Sequence, residues 1–442
     1  MVKLLIGITM GQSSVKPEGY LPRIVDEQVE RYLRIFGAVE IEGTKWCGKT
    51  WTARQHGASI SYVDEQLALA QDDPSLMLLG EKPHIIDEWQ RVPAIWNLVR
   101  HGIDETRGLR GGWILTGSST PPDRQGDAEA AKRHSGAGRI GRIKMSPMTL
   151  SESGDSENIV SLARLFEEPP AAAIVEDDTQ RLVELACRGG WPEALDLGAL
   201  DAQTIAREYL TAVCHESAPD HNLDPFVTER VIASLARNLG QAATYGTIRE
   251  DALGSTGFDL TERQIGEYLS FLRRIYLLAE VPGWEPPSRS KKRLQTKPKR
   301  YLADPSLAVA ALGLSPQGLM EDWQTFGLIF ENLCLRDLTV YARAHELARP
   351  IPVRYYRDDS GLEVDAIVEL ADGRWAAFEI KTSESKVAPA VANLKRLRKK
   401  LCENPRAHMK PPVFMAVITG IGKYVRVVEE GIYVIPIRAL TA

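Results

Sequence analysis

Short apolar runs alternate with amphipathic stretches over the first third of the chain. Residues 38–42, 59–63, 84–87 and 113–116 have the length and apolar density of buried strands. A helical period covers residues 92–106, and residues 140–145 supply a last strand candidate. Strands separated by helix-length segments predict a parallel α/β domain. Beyond Ser146-Pro147 the pattern turns helical and acidic as far as about His215.

Residues 222–310 differ. Residues 227–239 read as a helix closed by Gly240, and Thr247 to Glu250 and Thr261 to Gln264 read as capping boxes opening two more. On the last, Ile265, Leu269, Leu272 and Ile275 or Tyr276 form an apolar stripe. Strand candidates at 277–281 and 299–302 flank a linker rich in proline and basic residues. Three helices and a two-stranded ribbon predict a winged helix-turn-helix. The remainder predicts an α+β region: a helix at 326–341, strands at 353–357, 363–370 and 374–381, a helix at 388–402, and strands at 413–419 and 431–437. Asp358 to Gly361 and Ala371 to Gly373 are turns, and no internal repeat is found.

Composition narrows the class. A chain of 442 residues carries a prior of about three domains. Its 44% hydrophobic and 26% charged residues exclude a mainly disordered, fibrous or membrane-spanning protein. The longest apolar runs, such as 413–418, fall far short of the roughly 18 residues a spanning helix needs. Residues 1–10 carry Lys3 and a short apolar stretch, but no clear small-residue cleavage site follows, so a signal peptide is not expected, and structured sequence is expected from near Tyr20. The cysteines (Cys47, Cys187, Cys214, Cys334, Cys402) are odd in number and form no CxxC pair. A reduced, cytoplasmic protein without a disulfide or zinc framework is expected. With a net charge of −5, any nucleic-acid contact must come from local basic patches.

Gly43-Thr44-Lys45-Trp46-Cys47-Gly48-Lys49-Thr50 fits G-x-x-x-x-G-K-[ST], after a strand and at the start of a helix. Backbone N–H groups of such a loop wrap phosphates, and the helix amino end adds a positive dipole. Lys49 is assigned to the β/γ-phosphates of ATP and Thr50 to Mg²⁺. Cys47 is read as packing, since the loop works through its backbone. His84-Ile85-Ile86-Asp87-Glu88 places two carboxylates at a strand's carboxyl end. Asp87 is assigned to the Mg²⁺ shell and Glu88 to the attacking water. Thr116 and Ser118, in Leu115-Thr116-Gly117-Ser118, are candidate γ-phosphate sensors, with a plain polar turn as the competing reading. Arg139 and Arg142 enter the last strand. Arg139 is the candidate arginine finger, in cis or from a neighbouring subunit of a homo-oligomer, against the plainer reading of a surface arginine.

These residues resemble the uncharacterised AAA-type P-loop ATPases of prokaryotes. The matching segments are Tyr20 to Asp26, the phosphate loop, Ile86-Asp87-Glu88-Trp89-Gln90, Leu115 to Ser118 and Gly136 to Arg139; Gly189-Gly190-Trp191-Pro192 and Phe330-Glu331-Asn332-Leu333 resemble markers of the carboxyl-terminal region of that family. The resemblance covers the chain from about residue 20. It implies an ATPase core, a winged helix and a nuclease-like end. The expected domains are a P-loop AAA-type ATPase core at 19–150, a helical lid at 151–215, a winged helix at 216–315 and a PD-(D/E)XK nuclease-like domain at 316–442.

In that last domain Asp365 precedes Glu379-Ile380-Lys381, the D…E-x-K layout of restriction-endonuclease-like folds, which it resembles. Glu379 and Lys381, two apart, share a strand face. Asp365 and Glu379 are candidate Mg²⁺ ligands, Lys381 a candidate for positioning or activating water, and Glu331 an extra ligand. A surface charge network is the plainer alternative. Residues 289–300 hold seven Lys or Arg in twelve: Arg289, Lys291, Lys292, Arg293, Lys297, Lys299 and Arg300. Placed at the wing, they predict contact with phosphates of duplex DNA. A second patch runs over residues 395–400, and a solvated charged face is the competing reading for both. The expected function is an ATP-hydrolysing DNA-binding protein whose ATPase drives or switches a winged helix and a nuclease-like module. The alternative is a regulatory ATPase switch with an inactive nuclease fold used for binding nucleic acid or protein.

Overall fold

A computed structural model describes residues 15–120, 136–254, 260–285, 297–403 and 409–442. The chain divides into two compact units, one of residues 1–43 with 48–145 and the other of residues 44–47 with 146–442.

In the first unit the elements are α1 (Asp26–Ile35), β1 (Ala38–Gly43), α2 (Lys49–His56), β2 (Ser59–Tyr62), α3 (Leu67–Asp72), β3 (His84–Asp87), α4 (Ala94–Glu105), β4 (Trp113–Gly117) and β5 (Ile140–Met145). The strands form one sheet in the order β2-β3-β4-β1-β5, every pair parallel. Helices cover such a sheet on both faces, which is why β1 and β3 are buried at every position. Ile86, Leu115, Trp96 and Val99 anchor one core cluster. In a parallel sheet all carboxyl ends lie on one edge. Here that edge carries Gly43, Asp87 and Gly117.

The second unit begins with β6 (Val160–Ser161), α5 (Leu162–Leu165), β7 (Ala173–Ile174), α6 (Thr179–Arg188) and α7 (Ala199–Ala212). Then come α8 (Pro225–Arg237), α9 (Tyr245–Leu253), α10 (Glu262–Arg274), β8 (Leu278–Val281) and β9 (Lys299–Leu302). β8 and β9 pair antiparallel, so three helices are followed by a two-stranded ribbon. Thr261 and Gln264 exchange the two hydrogen bonds of a capping box on α10. The box expected at Thr247 is not formed. α9 starts earlier, and Thr244, in extended backbone, accepts the Thr247 amide at 3.0 Å as its cap.

The rest comprises α11 (Pro305–Ala311), α12 (Pro316–Glu321), α13 (Trp323–Ala344), β10 (Ala348–Arg357), β11 (Glu363–Leu370), β12 (Trp375–Lys381), α14 (Val387–Cys402), β13 (Phe414–Thr419), β14 (Tyr424–Glu429), β15 (Ile432–Pro436) and β16 (Leu440–Thr441). β10, β11 and β12 form an antiparallel meander; β13 returns parallel to β12 after α14, and β15 lies parallel to β13. β14 and β7 complete a seven-stranded sheet. The apolar stripe Val387, Ala390, Val391, Leu394, Leu397 of α14 packs on Trp375, Ala377 and Val417. Neither β7 nor β14 was expected; β7 has two residues, and β14 exposes Val427 and Val428 rather than alternating. No helix among the described residues is long and apolar enough to cross a membrane.

Candidate functional site

The phosphate loop leaves β1 at Gly43 and enters α2 at Lys49. Gly48 has φ 99°, a conformation glycine adopts without strain. Trp46 holds φ 64° with a full side chain, so its backbone is strained. Thr44, Cys47 and Lys49 are buried, whereas Trp46 and Lys45 are exposed.

Asp87 ends β3, and its Oδ1 accepts the Thr50 hydroxyl at 2.8 Å and the Thr116 hydroxyl at 2.5 Å. Burial raises the Asp87 pKa, helped by the neighbouring Glu88; Thr116, Thr50 and Lys49 act against it. Glu88 stands in left-handed backbone at φ 56°. Its Oε2 accepts Ser118 Oγ at 2.6 Å and Gln90 Nε2 at 2.5 Å. The Glu88 amide in turn donates to Thr116 Oγ1 at 3.2 Å. Thr116 of β4 and Ser118 just beyond its end thus supply two hydroxyls that hold the two acids in place. Thr116 and Ser118, expected as phosphate sensors, are both engaged on that acidic pair. Gln90, which sequence reasoning passed over, is found through the Glu88 carboxylate; its place two residues on was the signal.

The residues suit a nucleotide with Mg²⁺. Thr50 and Asp87 offer hard oxygen donors within hydrogen-bond distance of each other, which a magnesium ion would share. Lys49 would meet phosphate charge from the start of α2, and Glu88 would orient or take a proton from water. The ion itself would neutralise developing charge on the phosphates.

Arg139 lies elsewhere. It precedes Ile140, which pairs with Ala38 at the amino end of β1. The phosphate loop leaves the other end, roughly 20 Å away for a six-residue strand. Its Nε donates to Asp104 Oδ1 at 2.6 Å. The sheet therefore removes Arg139 from the phosphates of its own chain, which corrects the in-cis finger. Arg142 pairs with Glu40 at 3.1 Å.

The second cluster lies on the seven-stranded sheet. Ala366 pairs with Phe378, which sets Asp365 of β11 level with Glu379 of β12. Lys381 Nζ bridges them, 2.9 Å from Asp365 Oδ2 and 2.6 Å from Glu379 Oε2. Asn393 of α14 donates to Glu379 Oε1 at 2.6 Å, and the Ile380 amide donates to Asp365 at 2.8 Å. Burial and the Asp365 charge push Glu379 up to about 7. Burial also acts to raise Asp365, but Lys381 and Lys299 outweigh it and hold that acid below the usual range.

β9 feeds the same cluster. Lys299 and Tyr301, two apart on one face, both reach Glu331: Nζ at 3.3 Å and the hydroxyl donating at 2.6 Å. Lys299 also meets Glu363 at 2.7 Å. Asn332 secures β9 through both main-chain bonds of Leu302. Arg300 pairs with Glu280 at 3.1 Å and donates to the Ala243 carbonyl. Lys299 and Arg300 are 5% and 6% exposed, so neither presents its charge to a duplex, and both leave the expected DNA-contacting strip. Lys297 is exposed. Arg289, Lys291, Lys292 and Arg293 lie outside the described residues. Among the described residues no three acidic, histidine or cysteine side chains gather to hold a metal.

Residues 36–154 match the family described as AAA domain. Residues 179–318 and 326–440 match two domains of unknown function, DUF8612 and DUF4143. No curated protein matches the chain significantly. Among solved structures, the chain is similar to the Walker-type ATPase PABY2304 of Pyrococcus abyssi at 14% identity and TM-score 0.43, covering 67% of this chain and 97% of that one. The ORC1 protein of Aeropyrum pernix, solved in complex with DNA, gives 17% identity and TM-score 0.29 over 68% and 95%. ORC2 of the same organism, as ADPNP-ADP complexes, gives 13% and 0.30 over 70% and 99%. Identities and scores this low assign neither fold nor function. The phosphate-loop motif, its acidic strand and the family match together make residues 36–154 an AAA-type P-loop ATPase domain.

Proposed function

We propose that the chain is an ATP-hydrolysing, DNA-binding protein in which the P-loop domain switches a carboxyl-terminal module on duplex DNA. One observation carries the hydrolytic part: Thr50 and Thr116 converge on Asp87 while Ser118 and Gln90 hold Glu88. That pairing separates a metal-binding acid from a water-directing one, which is what phosphoryl transfer to water requires. DNA binding is supported by the three helices and ribbon of α8 to β9, the winged-helix arrangement, and by the basic run ending at Lys297.

The order α13, β10–β11–β12, α14, β13 supports a restriction-endonuclease-like fold. Its candidate site favours the second reading, a binding scaffold without cleavage. Lys381 already compensates both carboxylates, and Lys299 compensates Glu331 and Glu363. A divalent ion would have to displace an ammonium that is hydrogen-bonded in place. Calorimetric titration with Mn²⁺, paired with a plasmid-cleavage assay, separates the two. Absence of cleavage, with equal heats for the wild type and Asp365→Asn, is expected of the scaffold. Mn²⁺-dependent cleavage that disappears in Asp365→Ala would establish the nuclease instead.

A further inference from the structure

The phosphate loop has a partner that its motif does not predict. Tyr209 of α7 is 2% exposed and carries the Trp46 ring edge-on, with centroids 5.4 Å apart and planes at 69°. Its other ring neighbour is Trp191, 5.1 Å away at 33°. The backbone amide of Lys45 is directed at the Tyr209 hydroxyl oxygen. Trp191 is itself fixed, since its Nε1 donates to Ser306 Oγ at 2.9 Å. The turn before it is equally tight: Gly190 N donates to Asp304 at 3.0 Å, and a Cβ on Gly190 would collide with the Met148 carbonyl. Asp304 pairs with Arg336 at 2.7 Å, both buried. The side chain that touches the strained loop residue thus stands on a rigid base.

We infer that Tyr209 is a positioning residue for ATP binding, holding the phosphate loop in its phosphate-receiving conformation through Trp46 and Lys45. The inference rests on the ATPase reading above. A left-handed backbone at a tryptophan persists only where its surroundings over-determine it. Among the described residues 44–47, Trp46 is the strained one, and Tyr209 is the aromatic ring its side chain meets. Without that ring the left-handed backbone at Trp46 is no longer held, and the loop relaxes. A loop that must be reordered by its ligand binds more weakly by the fraction of time it is out of place. The chemical step itself uses Lys49, Thr50, Asp87 and Glu88, outside the ring and hydroxyl partners of Tyr209 described above, so affinity shifts and turnover at saturation does not.

The test is steady-state ATP hydrolysis by the full chain. Tyr209→Ala is expected to raise KM about tenfold or more with kcat within about twofold of wild type. Tyr209→Phe keeps the ring and loses the hydroxyl, and a rise in KM of about threefold is expected. Adding Trp46→Gly to Tyr209→Ala is expected to recover part of the affinity, because glycine takes the left-handed conformation unaided. A general packing defect would lower kcat and thermal stability and would not respond to Trp46→Gly. Unchanged KM in both Tyr209 variants overturns the inference while leaving the ATPase reading intact. If Tyr209→Ala does not fold, unchanged KM in Tyr209→Phe alone overturns it. No nucleotide turnover by the wild type overturns both.

Discussion

Glu88 is held by two neighbours and bent into left-handed backbone, so its carboxylate has a fixed direction before any nucleotide arrives. Glu88→Gln should therefore keep ATP binding and lose hydrolysis by about 10²–10⁴-fold, since an amide cannot take the proton. Lys49→Ala should instead lose binding, measured with a fluorescent ATP analogue. His84 provides a pH test of the same sheet. It is buried at the start of β3, with Nε2 3.0 Å from the Met77 carbonyl and Nδ1 2.6 Å from Ser59 Oγ. Burial, with Lys82 beside it, lowers its pKa to about 4. The unfolded imidazole, near 6.5, binds a proton that the folded one refuses, so stability is complete above pH 6.5 and falls as pH drops toward 4. The loss approaches about 3 kcal/mol only below pH 4; between pH 7 and pH 5 it is about 2 kcal/mol, which urea unfolding at the two pH values should show in the wild type, with a flatter profile in His84→Gln. Asp87 and Glu88 were legible because they close a short apolar strand downstream of the phosphate loop. Their holders were not: a hydroxyl on β4 and an amide in a turn become neighbours only once β3 and β4 pair.

At the scale of elements, the apolar period located most strands and helices to within a few residues, and β3, β5, β9 and β11 match their expected bounds. It erred where the period is silent. β14 lacks alternation, and α9 is set by its cap rather than by a stripe. Lys299 shows the deeper limit. Charge density assigned it to DNA, but a strand alternates its faces, and that of Lys299 and Tyr301 turns inward to Glu331. Lys299→Met should therefore destabilise the second unit by about 3 kcal/mol, because it leaves the half-buried Glu331 carboxylate without its cation. Thermal unfolding measures this. The salt dependence of DNA binding should meanwhile stay unchanged, whereas neutralising Lys291, Lys292 and Arg293 should flatten the log–log slope by about 0.9 for each phosphate that is no longer neutralised. A flattened slope in Lys299→Met would return that lysine to the DNA-contacting strip.

At the scale of the molecule, two compact units meet in sequence at Met145 and Ser146, where strand and helix periods give way to the acidic helical stretch. That shift was visible in the sequence. The roles of Gly189-Gly190-Trp191 and of Phe330-Glu331-Asn332 were not, since each acts through bonds to residues more than a hundred, or about thirty, positions away. We propose that the nucleotide state of the P-loop domain sets the DNA affinity of the chain. The measurement is fluorescence anisotropy of a labelled duplex, at one low salt concentration, with Mg²⁺ and ATP. Glu88→Gln holds the ATP state and Lys49→Ala the empty one. Their DNA dissociation constants should differ by about tenfold or more, a coupling near 1.4 kcal/mol. Equal affinities in the two variants, or no binding by either, would contradict it.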